Sequence, residues 1–129
     1  MKKLETLREY VDEIEDNIKR ISLFPEIHHE EKMKKLVEDL TISCYQVKSR
    51  INQIFNRSLY VSNGMTIIKS LAENMERKLT QFNDEYRDWY NRRDLEAYNI
   101  DERLDIITTA ERQIKKTKEF IYQIIAKLI

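Results

Sequence analysis

Three features of this sequence predict an all-α fold, an antiparallel up-down bundle of about four long amphipathic helices. Apolar residues recur in alternating steps of three and four along most of the chain, the spacing that lines one face of a helix. The 129 residues include one glycine and one proline, too few for the tight turns a sheet of this length requires. Charged residues make up 36% and hydrophobic residues 41%, a mixture that belongs to amphipathic surfaces and not to a disordered chain. The length predicts a single domain over residues 1–129, burying roughly two-thirds of its unfolded surface without disulfide or metal.

The first helix carries Leu4, Leu7, Val11, Ile14, Ile18 and Ile21, an uninterrupted heptad stripe among acidic residues. Ser22, Leu23 and Phe24 break the pattern. Pro25 then suits the first turn of a second helix, where its missing N–H is not needed. That helix carries Met33, Val37, Leu40, Cys44, Val47, Ile51 and Ile54, with Leu36 and Phe55 widening the stripe for two neighbours. Residues 59–64, which hold the single glycine, read as the clearest loop. A third helix follows on Ile68, Ala72, Met75, Leu79, Phe82, Tyr86 and Trp89. It closes either at residues 91–94 or at Ala97.

Asn99 with Glu102 three residues on forms a capping-box start for the fourth helix. Its stripe, Leu104, Ile107, Ile114, Ile121, Ile125 and Leu128, is interrupted by Glu111 and Lys118. The alternative face is Ile106, Ala110, Thr117, Ile121 and Ile124. Short joints make neighbouring helices antiparallel. Near-perfect heptads also allow an alternative architecture, helical hairpins completed by coiled-coil dimerisation.

Twenty-three cationic side chains balance 23 acidic ones, so the chain lacks the basic excess of a dedicated nucleic-acid binder. One cysteine excludes an intramolecular disulfide, and Cys44 on an apolar stripe reads as a buried thiol. Residues 1–5 lack the apolar core of a secretory signal, and no window approaches the roughly 18 apolar residues of a membrane span. The expected location is the cytoplasm, with no integral membrane segment.

Few residues suggest chemistry. Glu26 and His29 have the i, i+3 spacing used in di-iron bundles, but His28 is the one other histidine and no second pair exists. Glu13 with Asp16, Glu73 with Glu76, and Glu85 with Asp88 sit among cations, as in a solvated charge lattice. A metal-dependent hydrolase built on them is the remote alternative. One glycine cannot build a phosphate-cradling loop, and no base stands ready for a nucleophile. No catalytic residue, metal or cofactor is expected.

Binding features are more evident. Residues 82–98 concentrate Trp, Tyr and Arg, the types that dominate binding hot spots. Trp89 falls on the core stripe, whereas Tyr90, Arg92, Arg93 and Tyr98 leave it. Residues 120–129 are apolar nearly all round, so Ile125 and Ile129 are contact candidates for a second copy or a partner. Arg112, Lys115, Lys116 and Lys118 form a local basic face suited to phosphates or an anionic surface. The expected function is therefore a non-enzymatic helical interaction module that binds a partner protein and forms homo-oligomers. Nucleic-acid or anionic-surface binding through the last helix is the alternative.

Overall fold

A computed structural model describes residues 2–92 and 100–128, the side chains of 29, 90–92, 100, 101 and 128 excepted. Four helices, α1 (Lys2–Ser22), α2 (Glu31–Phe55), α3 (Val61–Arg92) and α4 (Ile100–Leu128), pack as a closed ring in the order 1–2–3–4–1. Pairs across each seam show every neighbour antiparallel. Asp12 meets Lys48 and Arg8 meets Asn52 on α1–α2, and Asp39 meets Lys78 and Lys32 meets Glu85 on α2–α3. Glu76 meets Lys118 and Glu73 meets Tyr122 on α3–α4, while Asn17 meets Gln113 and Tyr10 meets Phe120 on α1–α4. The ring is completed within one chain.

The heptad stripes of α1, α2 and α3 are buried residue for residue, from Leu4 through Ile21, Met33 through Ile54 and Ile68 through Trp89. Full burial of one such aliphatic side chain contributes roughly 1.5–3 kcal/mol, so these three stripes supply most of the driving force. The fourth stripe departs from both expected faces. Its buried residues are Ile107, Ala110, Ile114, Thr117, Ile121 and Ile124, a single heptad seam that takes members of each. Ala110 and Thr117 of the alternative face join Ile107 and Ile114 of the first on this seam. Thr117 is accommodated because its hydroxyl donates to the Gln113 carbonyl at 2.8 Å.

Two joints also differ from expectation. Pro25 opens a separate 3₁₀ turn (Pro25–His29), and α2 begins only after Glu30, whose backbone is extended. One 3₁₀ turn brings residues three apart into line, which sends both Phe24 and Ile27 into the core. At the other end of α2, the Arg57 and Ser58 N–H groups donate to the carbonyls of Ile54 and Gln53. This double bond pattern is a Schellman cap, with Arg57 in the left-handed conformation (φ 60°) normally taken by glycine.

Gly64 is consequently not a turn residue. The Tyr60 carbonyl accepts the Gly64 N–H at 2.8 Å, so α3 is already under way. A Cβ on Gly64 would collide with Ile54, with Cγ1 at 2.7 Å. The glycine is there to let α2 and α3 approach closely.

Candidate interaction surfaces

The end of the bundle that carries the 3₁₀ turn is an aromatic core. Phe24, Phe82, Tyr86 and Trp89 lie with neighbouring ring centroids 5.9–6.2 Å apart, and Arg103 lies over the Phe24 ring while ion-pairing with Glu26. Trp89 is 5% exposed, so it packs the bundle end and offers a partner little surface. Its neighbour Tyr86 is fully buried, and its hydroxyl has no hydrogen-bond partner among the described residues. Burial pushes the Tyr86 phenol up to about 12. The contact candidates Arg93 and Tyr98, and the side chains of Tyr90 and Arg92, lie outside the described residues. So does Ile129.

The tail is less one-sided in sequence than in space. Ile121 and Ile124 enter the core and Ile125 is partly buried against it, whereas Tyr122, Gln123 and Ala126 face solvent. Tyr122 donates to Glu73 at 3.0 Å, and Lys69 sits over its ring. Docking into the bundle thus accounts for most of the apolar tail.

The basic face of α4 divides. Lys118 turns to α3 and pairs with Glu76 at 2.9 Å, which holds its ammonium above the usual lysine range. Arg112, Lys115 and Lys116 remain exposed, but they share a groove along the α1–α4 seam with Glu13 and Glu119. Lys116 also caps the Tyr10 ring at 4.5 Å. Mixed charge at this density makes a poor track for phosphates.

The carboxylate pairs do not converge. Glu85 bonds Lys32, Glu76 bonds Lys118, and Glu73 bonds Tyr122. Among the described residues no group of three His, Cys, Asp or Glu side chains is placed to hold a metal ion, and no helix is long and apolar enough to cross a membrane. Cys44 is buried beside Glu15 and Asp12, and desolvation pushes its thiol up to about 12, leaving it an unreactive core group.

The surface that the helical stripes did not reveal lies on the outward side of α2. Ile42 is 55% exposed and Tyr45 73% exposed, one turn apart, with Thr41, Gln46, Ser49, Asn52 and Asn56 on the same side. No acidic residue occurs between Asp39 and Glu73, an interval holding only four cations. Of these, Lys48 is consumed by Asp12 and Glu15 of α1 at 2.9 and 3.2 Å, and Lys69 by Glu73 and Tyr122. The side chains named on this side form a strip of amide, hydroxyl, aromatic and aliphatic groups that carries no charge of its own, on a chain that is 36% charged overall. That acid-free interval was legible in the sequence, though periodicity gives no hint of it.

Compared with protein-family models, curated proteins and solved structures, the chain matches none.

Proposed function

We propose that the chain is a non-enzymatic helical interaction module, of adaptor, regulator or inhibitor type, that binds a partner protein and associates with itself. The observation that carries this reading is the outward strip of α2 centred on Ile42 and Tyr45. Cores of protein interfaces are depleted in charge and enriched in tyrosine, and large apolar side chains left in water at adjacent helical turns mark such contacts. Tyr45 combines a broad apolar ring with a hydroxyl that stays hydrogen-bonded on either side of the association. Self-association follows from the same composition. Apposed to itself across a two-fold axis, a charge-free strip brings no like charges together.

The buried, unreactive Cys44 requires no oxidising surroundings, which supports action in the cytoplasm. Capture from source-cell lysate with tagged wild-type chain and with the Ile42→Asp/Tyr45→Asp variant, each with and without nuclease, tests the reading. A nuclease-resistant protein retained by wild type and lost by the variant supports it. Capture abolished by nuclease transfers the function to a nucleic-acid surface.

A further inference from the structure

The bundle end opposite the aromatic core combines an apolar depression with a ring of cations. Leu4, Ile54, Phe55, Leu59, Tyr60 and Val61 line an opening of about 450 Å³, with Arg57 at its edge. Tyr60 projects from the α2–α3 joint with 80% of its surface exposed, far more than a core or seam residue shows. Arg8 lies 4.4 Å above the Phe55 ring, which belongs to the same opening. Lys2 and Lys3 precede Leu4 on α1 and are exposed. Lys3 touches Lys127 at the end of α4, close enough that the second ammonium lowers the pKa of the first.

Five cations therefore surround this depression, each tied to it by sequence adjacency or contact. Glu5 is the one acidic residue within residues 1–8, 49–72 and 120–129, the segments that build this end. Among the described residues, Lys2, Lys3, Arg57 and Lys127 have no carboxylate within ion-pair distance, although such pairs tie the helix seams. Keeping Lys3 and Lys127 together with no anion between them is electrostatically unfavourable, and an external anion relieves it.

We propose that this end face is a peripheral contact for an anionic phospholipid surface. A projecting tyrosine beside half-buried aliphatic groups, ringed by lysine and arginine, matches the layering of a bilayer interface. Aromatic rings sit at headgroup depth, apolar groups reach the upper acyl region and cations meet the phosphates. The bundle then stands end-on, which leaves the α2 strip and the α1–α4 groove free at the side. This contact differs in place from the α4 basic face, whose cations share their groove with glutamates.

Cosedimentation at low salt with phosphatidylcholine vesicles, with and without phosphatidylserine, tests the proposal on the full chain. Wild type is expected to bind only the phosphatidylserine vesicles. Each cation removed from such a contact weakens binding about fivefold. Lys3→Gln/Arg57→Gln should therefore lose about 25-fold, and Tyr60→Ser should weaken it further, while Arg112→Gln/Lys116→Gln should stay near wild type. All these side chains except Tyr60 carry exposed charge, so folding, checked by circular dichroism, is expected to persist. Absence of binding to phosphatidylserine vesicles, equal binding to neutral vesicles, or an equal loss in the α4 variant overturns the proposal. Binding of a single-stranded oligonucleotide that Lys3→Gln/Arg57→Gln abolishes, with no vesicle binding, overturns it in favour of a nucleic-acid contact.

Discussion

The Asn17 side-chain amide donates to the Gln113 side-chain carbonyl across the α1–α4 seam, and also to the Glu13 backbone carbonyl at 3.1 Å. Asn17 is 6% exposed and flanks the isoleucines of an otherwise apolar stripe. A buried polar pair of this kind favours one register of the first and last helices, since a shifted register breaks the bond between the two amides.

Removing one partner differs from removing both. Gln113→Leu leaves the Asn17 amide with the Glu13 carbonyl alone and should cost about 1 kcal/mol in urea unfolding, whereas Asn17→Leu/Gln113→Leu should recover most of that loss. Equal destabilisation by the single and double variants would show that the pair does not act as a unit.

Tyr86→Phe should leave stability unchanged or raise it by about 1 kcal/mol, because it deletes a buried hydroxyl that has no partner among the described residues. Thermal unfolding measures this directly. A clear loss would reveal a hydrogen bond at that hydroxyl.

The α2–α3 joint yields a pair of opposite expectations. Arg57→Gly should stabilise by about 1 kcal/mol, since glycine adopts the left-handed cap without strain. Gly64→Ala should destabilise by about 1 kcal/mol or more despite the better helix propensity of alanine, because its methyl group overpacks Ile54. Ile54→Val in the same chain should return part of the loss. A stabilising Gly64→Ala would mean that the two helices are not so closely packed.

Glu111, on the α3–α4 seam, has its carboxyl held above the usual range by desolvation, partly opposed by Lys115, Arg87 and the Asn83 amide. The folded chain therefore binds this proton more tightly than the unfolded chain. Its contribution to stability falls as pH rises through the folded-state pKa, and is least favourable at neutral pH. Glu111→Gln should raise the melting temperature at pH 7, and the gain should shrink as pH falls toward the ordinary glutamate range. A gain independent of pH would contradict the assignment.

Large apolar residues at helical spacing announced α1, α2 and α3 because each stripe is both regular and buried. What escaped were features in which a small or polar residue does the packing. The α4 seam takes Ala110 and Thr117 from one candidate face and Ile107 and Ile114 from the other, Asn17 sits inside the core, and Gly64 permits close approach instead of making a turn. The left-handed cap at Arg57 has no composition signal, because the residue is not a glycine. Lys118 looked like part of a basic face because local sequence does not show Glu76 waiting on the next helix. Ile42 and Tyr45 carry no periodic signal for a related reason. Periodicity identifies what a helix buries, and these two are the residues it leaves out.

Sedimentation equilibrium over a wide concentration range, with wild type beside Tyr45→Asp and Ile42→Asp, bears most directly on the α2 contact. Reversible association in wild type, abolished by either aspartate with the melting temperature unchanged, is the expected result. A wild-type chain that stays monomeric throughout, or association that both aspartates leave intact, would contradict self-association through α2.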